Sequence, residues 1–149
     1  MIEFVAAAEA SDLAQALKRS RWVYPLINAG HVAGLGVLIG CVLAMDLRLL
    51  GLGRALPLAA TLRYLRALAV GALVLAVASG SLLFITQAGD YAANTWFRVK
   101  LVFLALALIN AAAHLNIAAM SPPRQRRGAL LSMTLWPAVL ISGRMIAYS

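Results

Sequence analysis

The stretch from Trp22 to Asp46, WVYPLINAGHVAGLGVLIGCVLAMD, decides the fold. It carries no charge over 24 residues, 22–45, between Arg21 and Asp46. A helix rises about 1.5 Å per residue and a bilayer core needs about 20 apolar residues, so this stretch is long enough to cross one. Trp22 and Tyr24 form an aromatic pair suited to the membrane–water boundary, and Pro25 falls in the first turn, where a missing N–H does least harm. Working outward, the gaps 67–89 and 101–123 leave 23 uncharged residues each, and 128–143 leaves 16. The last reaches spanning length when Arg144 snorkels and the helix continues toward Tyr148. Runs such as Ala67 to Ser79 lack the alternation of a barrel strand. The expected fold is an all-α membrane protein: four transmembrane helices in a bundle, spanning about 22–45, 67–89, 97–120 and 128–147, behind an N-terminal amphipathic interfacial helix. Residues 1–20 form the interfacial segment and 21–149 the four-helix domain.

Composition agrees. Of 149 residues, 63% are hydrophobic and 12% charged, where a soluble domain carries about a quarter. That excludes a disordered chain, a secreted disulfide scaffold and an ordinary cytosolic enzyme. Cys41 is the only cysteine, so there is no intrachain disulfide and no cysteine-rich metal site. The net charge of +8 does not signal nucleic acid, because the basic residues sit singly or in threes at the ends of apolar runs. The lipid bilayer is the partner this pattern names.

The first twenty residues lack the order of a signal peptide: Glu3, Glu9 and Asp12 come first, and Lys18, Arg19 and Arg21 last. A retained segment is expected. Ile2, Val5, Leu13 and Leu17 share one side of a continuous helix, Glu9 intrudes on it and Phe4 points away; the alternative is two short helices, for which Ser11 before Asp12 is an N-cap signal. Pro122 and Pro123 are expected to end the third span, Pro137 to kink the fourth, and Asp46 to pair with Arg48, Arg66 or Arg124 at the interface. Six Lys and Arg flank the spans on the side of the termini and seven on the other. With three arginines in the short third loop, the positive-inside rule places both termini outside, in the periplasm of a bacterial inner membrane.

The chemistry rests on few residues. The only histidines, His31 and His114, fall within the first and third spans, which run in the same direction. Ionisable groups in hydrocarbon usually face the bundle interior or mark a site. The leading expectation is a b-type haem with His31 and His114 as axial ligands, since bundles build cofactor sites from facing helices. Gly34, within the Gly30, Gly34, Gly36, Gly40 series, would make room for the macrocycle, or would pack helix on helix. Asn28 and Asn110, three and four residues before their histidines, share their faces and would hydrogen-bond the rings or join helices. Arg21 and Arg98 would meet the propionates. The depth offset of the histidines is about 6 Å counted from Arg21 and Lys100, but about 13 Å counted from Trp22 and Trp96; the larger figure would break a shared haem. Copper has little support, because Met45 lies about 21 Å along the axis from His31.

The run W-V-Y-P-L-I-N-A-G-H-V-A-G-L-G at 22–36 and D-L-R-L-L-G at 46–51, with Phe97, Arg98, Lys100 and a later histidine like His114, resembles an uncharacterised bacterial family of small four-helix integral membrane proteins. It is distantly similar in architecture to cytochrome b561-like and copper-resistance membrane domains. The b561 likeness implies more histidines than this chain owns, which excludes a two-haem electron wire. The expected function is therefore that of a haem-binding membrane protein exchanging electrons with quinone or a redox partner. The rival is a cofactor-free accessory or scaffold subunit of a larger membrane complex or homo-oligomer, docking through its small-residue faces and basic loops.

Overall fold

The computed structural model describes residues 2–149, with side chains from Ala6 onward. Among the described residues there is no strand. Two short helices, α1 (Ile2–Ala10) and α2 (Asp12–Arg19), precede α3 (Val23–Leu50) and α4 (Leu58–Thr86). A short helix, α5 (Ala88–Ala93), leads into α6 (Thr95–Ala113), and α7 (Pro122–Met145) closes the chain, with 3-10 turns at Ile117–Ala119 and Ile146–Tyr148. The helices α3, α4, α6 and α7 are each long and apolar enough to cross a membrane. The chain has the makeup of an integral membrane protein, and the expected all-α bundle is what it forms.

The spans differ from the charge gaps at their ends, for physical reasons. Helix α4 begins nine residues before the gap at 67, because Arg63 and Arg66 are tolerated in its first turns, where long side chains reach the headgroups. Helix α6 stops at Ala113, and His114 is its C-cap rather than a mid-span residue. The prolines at 122 and 123 do not end α6; they occupy the first turn of α7, where a fixed φ suits helix initiation and the missing N–H would have had no partner. Pro137 lies inside α7. Gly51 ends α3 with φ of 110°, a left-handed conformation that suits glycine.

The packing order is α4–α3–α7–α6. Helix α3 lies against both α4 and α7, and α6 lies against α7. Among the described residues, α4 and α6 make no close backbone approach, so the ring of helices is open on that side. Leu38, Cys41 and Val42 of α3, Ala69 and Ala72 of α4, Ala107 of α6, and Leu135 and Trp136 of α7 form the core at mid-height. Cys41 is buried and free. The contact of α3 with α4 is tight at Gly34, where a Cβ would stand 3.2 Å from the backbone nitrogen of Ala76 and 3.3 Å from the carbonyl of Ala72.

The N-terminal segment folds onto one end of the bundle. Ser11 splits it, its hydroxyl accepting from the Ala14 N–H at 3.3 Å. Ala14 and Leu17 are buried while Asp12, Lys18 and Arg19 face out, and α2 leans on α4 as α1 leans on α5. Glu9 ties the arrangement together, accepting from Lys18 Nζ at 2.7 Å and from the Gly89 N–H at 3.2 Å. These donors hold its carboxyl below the ordinary value of 4.5. The side chains of Ile2, Glu3, Phe4 and Val5 lie outside the described residues.

Candidate functional site

Each histidine sits in a seam between two helices, above a glycine of the neighbouring helix. The His31 ring of α3 lies over Gly80 of α4, so close that a Cβ there would stand 2.9 Å from its Cε1. His114 lies over Gly128 of α7, where a Cβ would stand 2.9 Å from its Nε2 and Cδ2. Only a residue without a Cβ leaves room for an imidazole at these points.

Both rings are held by Nδ1. For His31 that nitrogen lies 2.9 Å from the carbonyl of Ala76 and 3.1 Å from Ser79 Oγ. Ser79 spends its own proton on the carbonyl of Leu75 at 2.6 Å. His114 Nδ1 lies 2.8 Å from the carbonyl of Asn110. A carbonyl only accepts, so Nδ1 carries the proton in each case, and Nε2 of the neutral ring is left as an acceptor.

The two histidines are not brought together. His31 lines a cavity of about 1480 Å³ at the end of the bundle where the termini lie; His114 lines one of about 180 Å³ toward the other end. From the helix starts at Val23 and Thr95, His31 lies 8 residues in and His114 lies 19, a difference in depth of about 16 Å. Axial ligands of one iron must face each other across it, so these two residues do not fit a shared haem. Gly34 does not supply space for a macrocycle either, since the backbone of α4 fills its position. Neither arginine expected to meet propionates lines a cavity: Arg21 lies over Trp22, 5.7 Å from the ring centroid, and Arg98 donates to the carbonyl of Ala92 at 2.9 Å. Among the described residues, no group of three or more His, Cys, Asp or Glu side chains is placed to hold a metal ion.

Asn28 and Asn110 do keep company with their histidines. Asn28 joins His31 in the larger cavity, and Asn110, donating to the carbonyl of Gly128 at 3.3 Å, joins His114 in the smaller. Two charged residues at the ends of the expected spans also line these cavities. Lys100 reaches into the larger one along Gly143. Asp46 does not pair with an arginine; it is 5% exposed and lines the smaller one. Two of its three expected partners are committed elsewhere: Arg48 donates to the carbonyl of Leu56 at 2.6 Å and Arg66 to that of Leu115 at 2.5 Å. Among the described residues, Lys18–Glu9 is the single ion pair.

The larger cavity is amphipathic. Phe84, Tyr91 and Phe97 form an aromatic wall, with Phe84 and Phe97 stacked at 5.4 Å and 15°. Burial, with Tyr24 adding to it, pushes the Tyr91 phenol up. Asn28, His31, Lys100 and Arg144 give the cavity polar groups among apolar ones. No family model, no curated protein and no solved structure matches the chain, and the resemblance to small bacterial four-helix proteins rests on its residues alone.

Proposed function

We propose that this protein binds a quinone-class molecule of the bilayer in the larger cavity and serves as a ligand-binding subunit of a membrane electron-transfer system. The observation that carries this reading is the depth and character of the lining. His31 lies about 14 Å along α3 from Trp22, and Lys100 about 6 Å along α6 from Trp96. The tryptophans mark the interface, so both groups lie beneath it. A phospholipid phosphate does not descend that far, whereas a neutral quinone ring does. The aromatic wall suits a flat ring, the ammonium of Lys100 can donate to a quinone carbonyl, and His31 Nε2 can accept from the hydroxyl of the reduced form. The opening between α4 and α6 leads to the lipid tails. Seven of the thirteen basic residues flank the end opposite the termini, and the short arginine-rich loop there supports a cytoplasmic position for that end and a periplasmic one for the termini.

The test is equilibrium binding of a short-chain ubiquinone analogue to the purified protein in nanodiscs. Binding that saturates at one site and weakens about tenfold or more in His31→Ala or Lys100→Met supports the reading, in line with loss of a hydrogen bond to a charged or buried group. Binding that does not saturate, or that both variants leave unchanged, overturns it. A second reading, a scaffold with no ligand of its own, is favoured by Gly30, Gly40 and Gly71, where an added Cβ would meet nothing within 4 Å. Bulky substitutions there that release the protein from a native complex, with quinone binding absent, would mark the scaffold.

A further inference from the structure

The smaller cavity holds buried acceptors that no donor of the protein reaches, and this points to a ligand. Asp46 and Asn110 are 5% and 8% exposed, and Asp46 Oδ2 and Asn110 Oδ1 have no hydrogen-bond partner. The orientation of the Asn110 amide is fixed, because its nitrogen must be the atom that faces the carbonyl of Gly128. His114 Nδ1 is spent on the carbonyl of Asn110, so its Nε2 is a third acceptor. Each residue lines the same space. Leaving such atoms unpaired away from water is costly. Arg66 also lines it, but its guanidinium is anchored on Leu115 and reaches neither orphan atom.

Ser132 lines the space beside Asp46, yet Oδ2 is left without a partner; the remaining lining is apolar, with Trp136 on one wall and leucine and valine side chains around it. Its volume of about 180 Å³ slightly exceeds the 150 Å³ or so that encloses a benzene molecule in an engineered protein cavity. We propose that this cavity binds a primary ammonium group carried on a benzene-sized apolar body. Three N–H donors answer the three acceptors, and the cation neutralises Asp46. The body fills the apolar end. Entry is sideways, through the opening between α4 and α6. The site shares only Trp136 with the larger cavity and does not rest on what binds there.

The probe is benzylammonium, titrated calorimetrically into the purified full-length protein in amine-free detergent. Two analogues accompany it: benzyl alcohol, neutral with one donor, and benzyltrimethylammonium, a cation with no N–H. Benzylammonium is expected to bind at one site at least about tenfold more tightly than either analogue. Asp46→Asn, which keeps the side-chain shape, is expected to lose about ten- to a hundredfold of that affinity, while Lys100→Met, in the other cavity, leaves it unchanged. Equal binding of the three probes, no binding, or wild-type affinity in Asp46→Asn would overturn the proposal and leave the orphan acceptors to buried water. The comparison of the three probes decides the matter on the unmodified protein should Asp46→Asn fail to fold.

Discussion

The two histidine seams are built alike and surrounded differently. In each, a ring lies on a glycine of the next helix and donates from Nδ1 to a carbonyl. His31, however, is deep within a 28-residue helix and bonded across to α4, while His114 caps the end of α6 and bonds within its own helix. The cavity beside His31 is large and aromatic, with Lys100, Arg144 and Asp90 among its lining; the one beside His114 is small, with Asp46 and Arg66 among its lining. The difference teaches that a membrane histidine is not a cofactor ligand by default. One backbone carbonyl fixes its tautomer, and the opposite nitrogen then takes its meaning from whatever lines the adjoining space.

Substitution at the two glycines tests that contrast most severely. Gly80→Leu should destabilise the protein by about 3 kcal/mol or more, because the His31 ring is pinned from α4 itself and cannot yield; thermal unfolding in detergent reads this. Gly80→Ala should cost about 1–2 kcal/mol net of alanine's better helix propensity, and adding His31→Ala should recover part of the loss, as expected for directly coupled neighbours. Gly128→Ala should lie within about 1 kcal/mol of the parent, since His114 at a helix end can swing aside. Equal costs at the two glycines would break the distinction between the seams. Ser79→Ala, which removes one of the two partners of His31 Nδ1 and leaves Ala76, should cost about 0.5–1 kcal/mol.

The smallest effect lies at the cap on the bundle's end. The Glu9 carboxyl is held below its ordinary value, so the unfolded segment binds a proton more readily than the docked one. Its stabilising effect is therefore complete above the ordinary glutamate range and lost as the pH falls through the lower, docked value. Hydrogen exchange across α1 and α2 should speed up on that acidification, and Glu9→Gln should exchange faster at neutral pH without further acid response. An unchanged rate in Glu9→Gln would remove the cap from the account.

Much of the bundle was legible because charge is costly in hydrocarbon: Arg21 and Asp46 bracket the first span with little ambiguity. The ends were less so. Arg63 and Arg66 hide the start of α4 in the charge count because a snorkelling arginine is not a boundary, and the prolines at 122 and 123 read as a stop although a first helical turn accepts them equally well. That Asn28 and His31 line one cavity followed from helical spacing, although the ring's Nδ1 is held by Ala76 and Ser79 rather than by Asn28. Nothing in the sequence pairs His31 with Gly80 or His114 with Gly128, because spacing along one helix says nothing about which helix lies opposite. Asp46 was misread for the same reason: three arginines near it along the chain or at the same interface suggested a partner, while the turn of α3 aims the carboxyl inward beside Ser132.

The missing seam between α4 and α6 has a consequence for how any guest is measured. A guest that enters its chamber on that side, as proposed above, is loaded from the lipid phase, so the concentration that governs its occupancy is moles of guest per mole of lipid. Adding empty vesicles at a fixed aqueous dose should thin out the guest in the membrane and empty the chamber, whereas diluting the buffer around vesicles that retain their guest should change little.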